Sequence, residues 1–292
     1  MTQLSLPGMS IERVVNVASV PQRSPFRYPG GKTWLVPTIR QWLDSLEHQP
    51  AEFVEPFAGG AIVGLSVAFE RLAEHVTLVE RDEQVAAVWQ TILTDDEGEW
   101  LAEAIAQFDL NPETVRALLA QEPATIREAA LRTIIRNRVN RGGILATGAG
   151  QIKAGEAGKG IRSRWYPETL RKRILDIRSI RNSITFIAGD GAAVLQNYAR
   201  QKDVVFFIDP PYTASGKKPG RRLYTYSDID HEALFALVSG LRGDFLMTYD
   251  DHPHIRELAA RHKLDVREVP MKNTHHARLN ELLIGRRLAW AE

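Results

Sequence analysis

Asp209-Pro210-Pro211-Tyr212 is the part of this sequence best suited to chemistry, because it follows the apolar run Val204-Val205-Phe206-Phe207-Ile208 without a break. Such a run reads as a central strand buried on both faces, and its carboxyl end opens onto the crevice where α/β folds take their ligands. The two prolines fix the backbone and donate no amide hydrogen, which leaves their carbonyls as pure acceptors. A carboxylate, a rigid carbonyl and an aromatic face together form a receptor for a flat ring bearing an amino group. The same residues also suit a plain turn at a strand end, where Asp and Pro are common.

Three more clusters have chemical potential. Glu55-Pro56-Phe57-Ala58-Gly59-Gly60 closes a short strand and leads into an apolar helix over residues 62–72. Small residues there let the backbone approach a ligand. The acid at the strand end suits an amino group and a sulfonium better than the pyrophosphate that helix amino ends usually hold. Glu80 ends the next strand, residues 75–79, in the place of an acid that binds ribose hydroxyls. Phe26-Arg27-Tyr28-Pro29-Gly30-Gly31-Lys32-Thr33 imitates the tail of a phosphate-binding loop. That pattern requires glycine where Phe26 stands, and an apolar strand before it, so a nucleoside triphosphatase is excluded. Lys32 at a glycine turn can hold a carboxylate instead.

These clusters need a frame to position them. Trp34, Leu35, Ile39, Trp42, Leu43 and Leu46 recur at helical spacing. Strand, glycine turn, helix, strand and acid over residues 52–80 make the first unit of a nucleotide-binding α/β sheet. Residues 82–140 read as helical, with breaks near Asp95 to Gly98 and at Asn111-Pro112, and a glycine-rich basic stretch follows over residues 141–164. Strands resume at residues 184–187, 204–208, 244–248, 264–269 and 281–284. The expected organisation is a flexible arm (1–24) and a mostly parallel α/β domain (25–81 and 166–292) interrupted by a mainly helical insertion (82–165).

With 292 residues, 44% of them hydrophobic, the chain can build a full core. Its net charge of +1 excludes a uniformly basic nucleic-acid coat, so any such field must come from clustering. The absence of cysteine removes disulfides, thiolate zinc sites and cysteine nucleophiles, and suits a reducing compartment. No apolar run reaches the roughly 18 residues of a spanning helix, and the start lacks a signal-peptide pattern. A cytoplasmic enzyme is expected. One cluster of charge stands out: Arg132, Arg136, Arg138, Arg141, Lys153, Lys159, Arg162, Arg164, Arg171, Lys172 and Arg173, with few acids between. Basic side chains on a glycine-rich loop suit phosphate binding; an ordinary solvated face is the alternative. A second basic loop, Lys217 to Arg222, precedes Tyr224 and Tyr226 and reads as a lid over DNA or as a surface loop. His275-His276 reads as a hairpin tip, since neighbours on a strand face opposite ways, and no metal is expected.

In this order the pieces resemble the Dam-like DNA adenine methyltransferases, the α group of amino-methyltransferases, over most of residues 25–288. Tyr28-Pro29-Gly30-Gly31-Lys32 is similar to the family's amino-terminal cofactor motif, whose lysine contacts the methionine carboxylate of S-adenosylmethionine. Glu55 to Gly60 is similar to its glycine motif, Glu80 to its ribose acid, and Asp190 in Ala188-Gly189-Asp190-Gly191 to the acid that binds the cofactor adenine. Asp209 to Tyr212 is similar to the catalytic tetrapeptide, and Asn280 to Ile284 to the last strand. The resemblance implies a Rossmann-like S-adenosylmethionine-dependent methyltransferase sheet, with the insertion as the target-recognition domain. It implies a catalytic set of Asp209, Pro210, Pro211 and Tyr212. It also implies a cofactor set of Tyr28, Gly30, Lys32, Glu55, Pro56, Phe57, Gly59, Glu80, Asp190 and Asp209. The partner implied is double-stranded DNA, held by Arg136, Arg138, Asn140, Arg141, Lys153, Arg162, Arg164, Lys217 and Lys218. Asn137 to Gly142 is similar to the start of the recognition segment. The implied reaction is direct methyl transfer to N6 of an extruded adenine.

Two positions depart from the family pattern. Ala61 replaces the glycine that ends the usual Phe-x-Gly-x-Gly, which is tolerable if it packs a helix. Tyr249 stands where many relatives have a smaller polar residue, so it is expected to alter pocket shape. Cytosine N4 or an RNA base as the acceptor, and an inactive DNA-binding module, are the alternatives. Asp rather than Ser at position 209 favours adenine by resemblance.

Overall fold

The computed structural model describes residues 19–28, 30–211, 229–272 and 278–291. Tyr212, Lys217, Lys218, Tyr224, Tyr226 and the His275-His276 pair lie outside the described residues. Seven strands form one sheet: β1 (Glu52–Glu55), β2 (His75–Glu80), β3 (Ile184–Ala188), β4 (Val204–Ile208), β5 (Phe245–Asp250), β6 (Asp265–Lys272) and β7 (Arg278–Gly285). Their order is β3-β2-β1-β4-β5-β7-β6, parallel from β3 to β5, with β7 antiparallel to both of its neighbours.

The unbroken apolar run of β4 has a simple cause. Val205 and Phe207 face one hydrophobic cluster, while Val204, Phe206 and Ile208 face another. The two-residue period of a strand divides the run between two covered faces. On the first face lie α1 (Val36–Asp44), α2 (Ile62–Glu70), α3 (Glu83–Leu93), α4 (Asp95–Gln107), α6 (Ile126–Val139) and α7 (Pro167–Ser179). On the second lie α8 (Gly191–Tyr198), α9 (His231–Ser239) and α10 (Pro253–Arg261).

Capping sets several boundaries. Asp82 accepts from Gln84 N at 2.9 Å to start α3, and reciprocal capping boxes start α5 (Pro112–Ala120, from Asn111) and α6 (from Thr125). The first expected helix begins as a 3-10 turn, Thr33–Leu35, before α1.

The helical insertion has no separate main core. Trp89, Leu101, Ile105 and Ile134 share one buried cluster with Phe53 and Leu78 of the sheet, so residue 82 marks no break in packing. A small satellite cluster, Leu110, Val115, Ile135 and Val139, gathers α5 against α6. The end of the expected flexible arm is also anchored. Val20 and Ser24 are buried, and the Arg23 guanidinium lies 4.3 Å over the Phe69 ring. Among the described residues, no helix is long and apolar enough to cross a membrane.

Candidate active site

Four neighbouring strands end on an acid. Asp190 follows β3, Glu80 ends β2, Glu55 ends β1 and Asp209 follows β4. All four line a single cavity of about 550 Å³ together with Tyr28, Gly30, Lys32, Pro56, Phe57, Pro210 and Pro211. Parallel strands bring their carboxyl ends to one edge, so residues more than 150 positions apart in sequence converge there.

Asp209 is held at both oxygens. The Thr248 hydroxyl donates to Oδ1 at 2.7 Å, and Lys32 Nζ stands 3.0 Å from Oδ2. Lys32 is buried, 3.5 Å from Glu281 of β7, and donates to the Gly30 carbonyl at 3.0 Å. Burial raises Glu281 to about 7, with Lys32 opposing and the nearby Asp209 and Asp250 carboxylates adding to the rise. Thr248 and Glu281 were not singled out in the sequence as site residues. The signal was present: each is a polar residue adjoining an apolar run of its strand, Phe245-Leu246-Met247 before Thr248 and Leu282-Leu283-Ile284 after Glu281.

Glu80 accepts from Gly59 N at 2.8 Å through Oε2 and from Asp82 N at 2.7 Å through Oε1. Burial nevertheless raises it to about 7. Gly59 lies under the Tyr28 ring, with a backbone φ of +47°, and a Cβ there would stand 2.6 Å from a ring carbon. Asp190 caps α8, accepting from Ala192 N and Ala193 N at 2.9 and 3.1 Å, and its other oxygen is 3.5 Å from Arg81.

Glu55 is fully buried, and burial lifts it well above the usual carboxylate range. It accepts from Gly64 N at 2.7 Å. A Cβ on Gly64 would stand 2.5 Å from both Glu55 Oε2 and Leu78 Cδ2. Alanine normally improves a helix interior by about 1 kcal/mol over glycine. Here overpacking wins, and Gly64→Ala should destabilise by about 2 kcal/mol in chemical denaturation. A more stable variant would show that Glu55 can move at no cost.

Two expectations about departures change. Ala61 has φ +50°, in the left-handed region, as the residue preceding α2. The glycine of the usual motif therefore answers a backbone demand, and alanine tolerates it at a cost of about 1 kcal/mol. Tyr249 does not shape the cavity. It is buried on the second face, with its hydroxyl 3.1 Å from His231 Nδ1 and its ring tilted against Phe235.

The residues expected to hold DNA divide into two groups. Arg141 and Lys153 are exposed. Arg162 is exposed too, although its Nε donates to the Leu110 carbonyl at 2.7 Å, and Arg164 pairs with Glu156. Arg136 donates to Gln84 at 3.0 Å. Arg138 and Asn140 instead turn inward: both are buried, Arg138 on the Pro25 carbonyl and Asn140 donating to the Ile144 carbonyl at 2.7 Å. They are packing residues here, because the last turn of α6 faces the segment that leads into Tyr28. Asn137 does the same more completely. It accepts from Arg27 N at 2.9 Å and donates to the carbonyls of Arg27 (2.9 Å) and Gly143 (2.6 Å). Gly143 has φ +76°, and any side chain there would run into the Arg27 carbonyl.

A parallel sheet of this order with one antiparallel strand, carrying acids at four neighbouring strand ends around one cavity, is a Rossmann-like α/β fold with its ligand site at the carboxyl edge. The family model described as D12 class N6 adenine-specific DNA methyltransferase matches residues 28–272, and the chain belongs to that family. Among solved structures, the chain is similar to the rRNA methyltransferase AviRa from Streptomyces viridochromogenes. That pair is 13% identical with a TM-score of 0.40, covering 89% of this chain and 86% of the other. It is also similar to precorrin-6y C5,15-methyltransferase from Geobacter metallireducens GS-15, at 11% identity and a TM-score of 0.34, covering 85% and 84%. None of the curated proteins matches the chain.

Proposed function

We propose that this protein transfers a methyl group from S-adenosylmethionine to the N6 amine of an adenine extruded from double-stranded DNA. The observation that carries this reading is Asp209, held by Thr248 and Lys32 beside Pro210 and Pro211 at the end of the most buried strand. The cavity fits the cofactor: its four acids suit a ligand with a sulfonium, an ammonium and a ribose diol. When bound, the cofactor supplies an electrophilic methyl group.

The chain's own residues prepare the amine. An adenine amine in a stacked duplex is out of reach, so the base must leave the helix. Asp209 and the Pro210 carbonyl accept the two amine hydrogens, which localises the nitrogen lone pair and stabilises the positive charge developing there. Lys32, 3.0 Å from Oδ2, holds the Asp209 carboxylate in place for that task. Tyr212 would stack on the extruded ring. Fixing the amine in line supplies much of the remaining acceleration.

The test is transfer of labelled methyl from S-adenosylmethionine to mixed duplex DNA, followed by digestion to nucleosides. Label in N6-methyladenine is expected. Label in cytosine would keep the mechanism and change the base, and label only in RNA would replace the substrate.

The ribose role of Glu80 has a pH signature. Its carboxyl, raised to about 7, is a better acceptor for ribose hydroxyls once ionised. Cofactor affinity should rise about tenfold between pH 6 and pH 8 as the ionised fraction grows. Stability of the free protein runs the other way. A carboxyl whose folded value is raised contributes fully below its unfolded value, and that contribution is lost as pH rises through 7. Calorimetry across this range checks the first trend, and Glu80→Gln should flatten it.

A further inference from the structure

We infer that Glu281 is a positioning residue of the active site: it shares the Lys32 ammonium with Asp209, so that Asp209 keeps a net negative charge toward the reacting amine. The inference rests on the methyl-transfer reading above and deepens it by giving the antiparallel strand a part in the reaction.

The strands themselves bring these groups together. Thr248 and Asp250 lie two residues apart on β5 and so share one side of the sheet. Asp250 is paired across the ladder with Glu281 of β7, which puts both carboxylates on that side. The Thr248 hydroxyl reaches Asp209 at 2.7 Å, so the carboxyl end of β4 joins the group. Three acids thus act on one ammonium: Lys32 Nζ is 3.0 Å from Asp209 and 3.5 Å from Glu281, and its charge is also felt by Asp250. Lys32 and Asp209 line the cavity, whereas Glu281 is only 5% exposed and does not. Among the described residues, Glu281 Oε2 has no closer donor than Lys32.

A carboxylate paired with one ammonium forms a neutral couple, and its attraction for a cation developing nearby is largely cancelled. Methyl transfer places positive charge on the amine, so that cancellation would slow the reaction. A second carboxylate on the same ammonium leaves the group negative overall and Asp209 effective as an acceptor. Packing alone does not call for this charge. Like charges opposite each other in an antiparallel pair are unfavourable, and a carboxylate removed from water is costly. Burial raises Glu281 to about 7, with Lys32 opposing and Asp209 and Asp250 adding to the rise. His252, just ahead of α10, acts in turn on Asp250, and β6 faces Glu281 with the apolar Val269. The charge on Glu281 is therefore present above this value and lost as pH falls through it.

The test is the single-turnover rate of methyl transfer to duplex DNA by the full chain between pH 6 and pH 8. Saturating cofactor keeps the Glu80 dependence, which acts on affinity, out of this rate. Wild type should gain about fivefold across the range as Glu281 ionises. Glu281→Gln should run about tenfold slower at the upper end, the scale of one charge acting within a partly buried site, and should lose the pH dependence. Its cofactor affinity, measured by calorimetry, should match wild type, because Lys32 keeps Asp209 and the Gly30 carbonyl. Glu281→Asp retains the charge and should recover most of the rate. Asp250→Asn removes the like charge across the ladder and should lower the pH midpoint. A glutamine variant with the wild-type rate and pH profile overturns the inference. Loss of rate, cofactor affinity and stability together, without recovery in the aspartate variant, overturns it as well and marks a structural role. Either result with an active wild type leaves the methyl-transfer reading standing, whereas a wild type that transfers nothing to DNA removes both.

Discussion

Asp209→Ala is expected to slow methyl transfer by roughly a thousandfold, the scale seen when a group that stabilises developing charge is removed. Both carboxylate oxygens are positioned by neighbours, Thr248 at 2.7 Å and Lys32 at 3.0 Å, so the wild-type acceptor needs no rearrangement as the reaction proceeds. The variant leaves Lys32 with Glu281 as its remaining carboxylate at 3.5 Å, so its charge stays compensated and the fold should hold. Single-turnover rates on duplex DNA with saturating cofactor isolate the chemical step. Asp209→Asn keeps an acceptor oxygen without the charge and should fall between the two. Transfer by the alanine variant within tenfold of wild type would sink the catalytic assignment.

The largest effect on stability is expected from Asn137→Ala. Its amide ties α6 to the backbone of Arg27 in both directions and to the Gly143 carbonyl, in an environment with no exposure. Alanine would strand one donor and two acceptors, each costing about 1–3 kcal/mol when left unpaired, for a total near 4 kcal/mol. Cofactor affinity should fall in parallel, because the released segment runs directly into Tyr28. Chemical denaturation and calorimetry measure the two effects. A DNA-contact role for this asparagine predicts the opposite pattern, with full stability, full cofactor uptake and weakened DNA binding.

That contrast shows where sequence reading stops. Asn137 to Gly142 is similar to a recognition segment, and its charge alone suggests a surface facing phosphates. Yet a helix presents successive residues about 100° apart. Whether Arg138 points to a duplex or to Pro25 depends on which side of α6 meets the rest of the chain. The same holds for Tyr249. Its place after Thr248 suggested a pocket wall, but alternation along β5 sends Thr248 to Asp209 and Tyr249 to the opposite layer.

Much else was legible because it depends on local chemistry. Apolar runs identified the buried parallel strands, glycine turns identified the sites of close approach, and three acids at strand ends, Glu55, Glu80 and Asp209, identified the ligand edge, while Asp190 came from the family resemblance. Each follows from hydrogen bonding and burial within a few residues. What only the tertiary structure decided are the relations between distant segments. It placed Glu281 and Thr248 around Lys32 and Asp209, merged the insertion into the main core, and turned arginines of two helices toward the segment before Tyr28. Such contacts arise when separate elements satisfy one another's buried charges and amides, and no local pattern specifies which donor will meet which acceptor.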